Sequence, residues 1–454
     1  MNILITMYNI NSPGGIINHN ENLVSGFKEL GHTVDFVELL WREKTNERKT
    51  RDKTIFETIT NGTNYPVHQG RGWLFPKEKR IPYKGKINIL KWKEFANKFD
   101  LVIWQIPVPT KQKDNFGNDE WPELYNLNPE VRQLAIIHDG NLQKSYPWIQ
   151  HIQHHLTGLV CVHPCAYHGA STTKIPRALI FNPQVVSSPQ KDWTKTWEQR
   201  VPGFISLQTF KAWKHVDDLV RSIPHMRSQT KKYLAGGGIE HNYMTSLEKC
   251  KKQYYVSKEN DSCIDTRFYG RRIWDVAEEF GMQWQGYISQ KMARRIMQKV
   301  RCLIDPSWSK AYAKTGDHFN RVVVDGILEG AIPIARNLGI STNEEGIGEV
   351  FKPQENYVMI PYNAQPREFA DIVEWAVNIS PADAETFHEN NASLLQNFSH
   401  RNVANQFIEL SRGVETGFYG KREVGNSSTQ LQIKSQKILS EFFHIEEQQC
   451  AYRL

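Results

Sequence analysis

Cys302-Leu303-Ile304-Asp305-Pro306-Ser307 opens the stretch that decides the fold. Gly316-Asp317-His318-Phe319-Asn320 follows, then Asp325-Gly326-Ile327-Leu328-Glu329-Gly330-Ala331-Ile332-Pro333-Ile334. The first run is apolar, of strand length, and stops at a Pro-Ser turn. A polar loop with Asp317 comes next, then a helical segment with Asp325 eight residues on, then a Gly-x-x-Pro return into a second apolar run. Strand, loop, helix and strand in that order form the crossover unit of a parallel sheet. Asn320 suits the N-cap of a helix over 321–329, and free amides at such a helix start can hold a phosphate.

The same alternation extends in both directions. Short β-branched-rich runs fall at 3–7, 33–39, 101–106, 134–137, 158–162 and 178–181. A second set falls at 203–207, 232–238, 268–270, 282–286, 302–305 and 332–335. Ser12-Pro13-Gly14-Gly15 reads as a turn. Ile16, Ile17, Leu23, Val24, Phe27 and Leu30 then keep helical spacing until Gly31. Strands separated by helix-length connections predict parallel sheets covered on both faces. The fold class is therefore α/β, with two Rossmann-like doubly wound domains and a cleft between them. The boundary is expected near the Pro- and Ser-containing stretch 183–202. The division expected is 1–190, with a polar and basic excursion at 42–95, then 200–400, then C-terminal helices and tail at 401–454. Residues 367–412 read as helical. In open sheets of this kind ligands sit at the carboxyl ends of the strands.

At 454 residues the chain exceeds one ordinary core. It holds no apolar run long enough to span a membrane, and residues 1–7 read as a buried strand rather than a signal peptide. Six cysteines in this length make no disulfide scaffold and suit reduced thiols in a cytoplasmic setting, a host's cytoplasm if the protein is viral. Cys161-Val162-His163-Pro164-Cys165 offers at most three metal ligands and reads better as core packing. The net charge of +7 is concentrated: between 71 and 93, eight Lys and Arg face one Glu, with Trp73, Phe75, Tyr83 and Trp92 interleaved. Arg71, Trp73, Lys77, Lys79, Arg80, Lys84 and Lys86 suit a polyanionic partner, where cations replace counterions and aromatics stack on bases. A solvated loop with aromatic anchors is the competing reading.

Residues 203–340 resemble the donor half of retaining GT-B glycosyltransferases. The resemblance implies a nucleotide-sugar donor, here a UDP-sugar, and no other cofactor. Lys214, in Phe210-Lys211-Ala212-Trp213-Lys214, matches the family's diphosphate lysine. The family's arginine position falls on Thr209, with Lys211 as substitute. Gly237, in Ala235-Gly236-Gly237-Gly238, matches the glycine-rich strand end, and Tyr287 and Ile288 match the loop that meets the nucleoside base. The family's two acidic residues, usually Glu, map to Asp317 at the donor sugar and Asp325 at the ribose, with amides near Phe319 and Asn320 on the phosphate. Gly14 and Gly15 resemble the opposing glycine loop. His138 and Asp139, ending Ile136-Ile137-His138-Asp139, resemble the strand end near the reacting centre. No Asp-x-Asp pair occurs, so side-chain cations and a helix start, rather than a metal, are expected to offset the leaving diphosphate.

Within this fold the order His138-Asp139, Phe181-Asn182-Pro183, Trp213-Lys214 and Asp325 with Gly330-Ala331-Ile332-Pro333 resembles bacteriophage DNA glycosyltransferases of the α-glucosyltransferase or arabinosyltransferase type. That implies a hydroxymethylated base in DNA, such as hydroxymethylcytosine, as acceptor. Two other readings stay open: a cytoplasmic GT-B enzyme building a surface glycan or glycolipid, and a non-catalytic module that binds nucleic acid.

Overall fold

The structure, a computed structural model, describes residues 1–7, 15–38, 89–105, 121–138, 149–184, 193–209, 214–237, 273–286, 288, 290–307, 321–336, 350–361 and 363–419. Two six-stranded parallel sheets carry it. The first is built from β1 (Asn2–Met7), α1 (Gly15–Glu29), β2 (Thr33–Glu38), α2 (Ile89–Ala96), β3 (Leu101–Trp104), β4 (Arg132–Ile137), α3 (Ile149–Ile152), β5 (Gly158–Cys161), α4 (Pro164–Gly169) and β6 (Arg177–Leu179), in strand order β2-β1-β3-β4-β5-β6. The order reverses at β1 and β3, so their carboxyl ends flank an opening where no crossover covers the edge.

Every residue of β3 and β5 is buried, as a sheet covered on both faces requires. Leu4, Val102, Trp104 and Ala135 pack on one side with Trp92 of α2. Ile3, Ile5, Leu101, Ile103, Leu134 and Ile136 pack on the other with α1. The buried indoles keep their polar ends bonded: Trp92 Nε1 donates to the Leu124 carbonyl at 2.8 Å and Trp104 Nε1 to Gln133 Oε1 at 3.1 Å. Helix α1 stops where Gly31 turns to φ +80°. There the His32 amide reaches back to the Phe27 carbonyl at 3.0 Å, closing the last turn.

The second sheet holds α5 (Trp193–Gln199), β7 (Val201–Thr209), α6 (Val216–Ser222), β8 (Lys231–Gly237), α7 (Ile273–Glu279), β9 (Gln283–Trp284), α8 (Gln290–Met297), β10 (Val300–Asp305), α9 (Arg321–Leu328), β11 (Ile332–Arg336), β12 (Val358–Ile360), α10 (Pro366–Val377) and α11 (Pro381–Leu395). Its order is β12-β11-β10-β7-β8-β9. Here the reversal lies between β7 and β10. Arg200 pins the opposite edge: its buried guanidinium donates to the carbonyls of Met297 at the end of α8, Val300 at the start of β10 and Glu329 just past α9.

Two points differ from the sequence reading. β12 is an added edge strand, three residues long and too short to carry a period. The helical stretch 367–412 is three helices. Pro381 starts α11 behind Ser380, whose Oγ accepts from the Asp383 amide at 3.1 Å, and a 3-10 turn at Gln396–Phe398 separates α11 from α12 (His400–Ser411). The expected run at 268–270 lies outside the described residues, as does most of the 42–95 excursion.

The last helix changes domain. Val403, Ala404, Phe407, Ile408 and Leu410 of α12 pack into the α1 face of the first sheet. At about 1.5–3 kcal/mol per fully buried large apolar side chain, this docking ties the chain's end to its beginning. Gly26 permits the crossing, since a Cβ there would lie 2.1 Å from the His400 carbonyl oxygen.

Candidate active site

Alternation along β3 and β4 puts Gln105 and His138 on the same face as Ile103 and Ile136, at the carboxyl edge beneath α1. Gln105 Nε2 meets His138 Nε2 at 2.9 Å, which fixes the ring. His163 Nε2 lies 3.1 Å from the His138 carbonyl oxygen, while its Nδ1 accepts from the Ala166 amide at 3.1 Å and caps α4. Both nitrogens of His163 are thus engaged. Burial pushes the nearby Cys161 thiol up to about 12, so this pair offers a metal no ready ligand.

His19, in the second turn of α1, stands edge-on to His138 with ring centres 5.5 Å apart at 76°. Its Nδ1 lies 2.7 Å from Asn182 Oδ1. Burial holds His138 down at about 4, and burial with the nearby His138 and Arg321 holds His19 well below its ordinary value. Both rings are therefore neutral at pH 7. So weak a base orients a hydroxyl better than it removes a proton.

At the second sheet, the ends of β7 and β10 are tied where the strand order reverses. Gln208 Nε2 donates to Asp305 Oδ1 at 2.9 Å, and the Ser307 amide donates to the same oxygen at 3.2 Å. The Asp-Pro-Ser turn thus has a structural duty. Gly236 sits at φ +119°, and a Cβ there would lie 1.8 Å from the Gln208 carbonyl oxygen, so only glycine brings β8 this close. The Gly236 amide donates to the Gly286 carbonyl at 2.8 Å, seating the loop after β9, while Ile288 packs half-buried against the cluster built on Ile205 and Leu303.

Lys214 is buried immediately before His215, which enters α6 through the left-handed region at φ +47°. His215, Asp217 and Asp218 bring ligand atoms within 4.8 Å of one another. Yet Arg336 lies 2.7 Å from Asp218, and Arg221 pairs with Asp217 and Asp218. Burial pushes the Asp218 carboxyl up, but Arg336, His215 and Arg221 outweigh it and hold the group well below the carboxylate range. Guanidinium groups already fill the place a cation would take.

Asp325, on α9 and 7 % exposed, has an Oδ1 with no hydrogen-bond partner. Burial pushes its carboxyl up, partly offset by Arg321 one turn earlier and by Arg294, which pairs with Glu329. An unpaired buried acceptor costs about 1–3 kcal/mol, and a hydroxyl donor on a ligand would satisfy it.

The two edges meet. Arg321, the first residue of α9, donates from its NH2 to Gln184 Oε1 at 3.1 Å, in the segment that leaves β6 for the second sheet. Of the residues the sequence singled out, Gly15 opens α1, His138 ends β4, Lys214 precedes α6, Gly237 ends β8, Ile288 follows β9 and Asp325 lies on α9. Gly14, Asp139, Lys211, Tyr287, Asp317, Phe319, Asn320 and the basic residues from Arg71 to Lys86 lie outside the described residues. His19, Gln105, Gln184, Arg321 and Arg336 were not anticipated. Only His19 had a local signal, four residues after Gly15 and so on the same helix face.

Two doubly wound domains in tandem, joined at their carboxyl edges and closed by a last helix that returns to the first, are the GT-B glycosyltransferase fold. Solved structures share it. Anabaena HepE in complex with UDP-glucose aligns with a TM-score of 0.56 at 11% identity, covering 90% of this chain and 99% of that one. An α-glucosyltransferase bound to UDP-glucose and DNA containing an abasic site aligns at 0.54 and 15%, covering 90% and 99%. The lipopolysaccharide outer core galactosyltransferase WaaB aligns at 0.51 and 11%, covering 91% and 99%. No family model and no curated protein sequence matches the chain. Among the described residues no helix is long and apolar enough to cross a membrane.

Proposed function

We propose that this chain is a retaining, metal-independent glycosyltransferase that moves a sugar from a UDP-sugar to a hydroxymethylated base in DNA. The observation that carries the transferase reading is the pairing of the neutral, oriented His138 on one carboxyl edge with the unpartnered Oδ1 of Asp325 on the other. These edges are joined through Arg321 and Gln184. Asp325 receives a ribose hydroxyl, and the ring of His138 orients a sugar hydroxyl. Lys214 and Lys211 offset the charge of the leaving diphosphate together with amides near Phe319 and Asn320. Asp317 holds the donor sugar. The bond from the anomeric carbon to the β-phosphate oxygen breaks, and a bond to the acceptor hydroxymethyl oxygen forms on the same face. The acceptor's proton passes to an oxygen of the departing phosphate, which suits a histidine that stays neutral.

The basic and aromatic block at 71–93 supports DNA as the acceptor, as does the likeness to a glucosyltransferase bound to DNA. The likeness to WaaB supports a glycan acceptor as the second reading. A donor screen against hydroxymethylcytosine-containing DNA, read by the mass of the digested nucleosides, separates them. A hexose or pentose increment on the modified base is expected. UDP release without any mass change on DNA would move the acceptor to a glycan, and no release with any donor would leave only binding. Affinity for DNA should drop steeply between about 50 and 200 mM salt if several phosphates are gripped.

A further inference from the structure

One face of α1 is given over to the two segments that pass between the domains. His19, Asn22, Gly26 and Glu29 follow one another at spacings of three and four, so they line a single stripe. His19 Nδ1 meets Asn182 Oδ1 at 2.7 Å, and Asn22 Nδ2 donates to the Pro183 carbonyl at 2.8 Å. Gly26 admits the His400 backbone, and Glu29 Oε1 lies 2.7 Å from His400 Nε2. The outgoing and returning segments are also bonded to each other. The Gln184 amide donates to the Phe398 carbonyl at 2.6 Å, and the His400 amide donates to the Gln184 carbonyl at 2.9 Å. At the far end Arg321 of α9 holds Gln184 Oε1. At the near end His19 lies edge-on against His138.

We infer that His19 is a positioning residue that sets the ring of His138 according to the seat of the interdomain crossover, so that His138 is oriented for transfer only while α9 is docked through Arg321 and Gln184. The route is continuous: Arg321 to Gln184, two residues along the backbone to Asn182, then His19, then His138. His19 suits this duty and not proton transfer, because Asn182 takes its Nδ1 and its Nε2 is buried with no partner. Gln105 holds His138 from the other side, so a small rotation imposed by His19 changes how the ring is presented at the strand end. A donor bound against α9 would thereby be sensed in the other domain without touching it. The inference rests on the transferase reading for its purpose, but its physical content is a coupling that exists without substrate.

The test has two arms. In the first, ring 15N and 1H resonances of His138 are recorded on the substrate-free protein for wild type, His19→Phe, Gln184→Leu and Arg321→Gln. All three variants should shift the His138 ring signals while the melting curves stay cooperative. Unchanged His138 signals in Gln184→Leu and Arg321→Gln would overturn the relay. In the second arm, His19→Phe should lower kcat on the order of 10- to 100-fold, with the donor KM altered by no more than about twofold, the mark of lost orientation rather than lost binding. The double variant His19→Phe with Gln184→Leu should be no slower than the worse single variant, since both break one chain. Multiplying losses would overturn the coupling. Should His19→Phe fail to fold, Gln184→Leu breaks the route at the other end and leaves α1 intact. If the wild type transfers no sugar, the transferase reading falls, and the resonance arm still decides the relay.

Discussion

Asp325 and His138 show how burial shifts the charge preference of ordinary side chains in opposite senses. Asp325 is a carboxylate that burial disfavours and that lacks a donor at Oδ1. Asp325→Asn should raise the unfolding free energy by about 1 kcal/mol, because a neutral amide tolerates the site better. The same change should cut kcat/KM with the donor about 10- to 100-fold, by loss of a charged acceptor. Chemical denaturation and initial rates on one preparation check both, and a variant both less stable and fully active would remove Asp325 from the site. Lys214→Ala should weaken UDP affinity about tenfold or more in calorimetry, and an unaltered affinity would place the diphosphate elsewhere. Asp325 and Lys214 stood out in the sequence as candidates because short motifs framed them. Arg321 and Gln105 were not, since an arginine at a helix start and a glutamine after a strand have bland local readings. Their partners come from 137 and 33 positions away.

Among the elements, strand β8 is tightly constrained by glycine. Gly236→Ala should cost about 2 kcal/mol or more, since φ is +119° and the Gln208 carbonyl oxygen occupies the place of the Cβ. A shift of the urea midpoint at unchanged m-value would register it. An alanine there without effect would mean that β8 ends differently in solution. Periodicity revealed most strands, because a strand covered on both faces is a nearly continuous apolar run. It missed β12, whose three residues sit at the sheet edge and owe their pairing to β11. Residues 367–412 were legible as helical, but the break at Gln396–Phe398 has no proline or glycine to announce it. It exists because the chain must turn there to lie beside Gln184.

For the whole molecule, the buried histidines set a pH limit. His138 is held at about 4 and His388 at about 3, each chiefly by burial, and His19 is lowered as well. A folded-state value below the unfolded 6.5 means that the unfolded chain binds more protons between the two. Stability is therefore full above about pH 6.5 and declines as pH falls toward 4. Melting temperatures recorded from pH 7.5 to 4.5 should fall steadily on the acid side, and a flat profile would contradict the neutral histidine pair. Over the same range kcat/KM should lack an inflection near 6.5 from His138. Two parallel sheets in tandem follow from local patterning, because strand, helix and turn preferences act over a few residues, whereas the nucleotide-sugar expectation came from a resemblance carried by short motifs. The partnership of Arg321 with Gln184, of His19 with His138, and the return of α12 to the first sheet arise only once both domains are packed. Each joins segments far apart in the chain, and no short-range preference encodes which buried donor will find which acceptor.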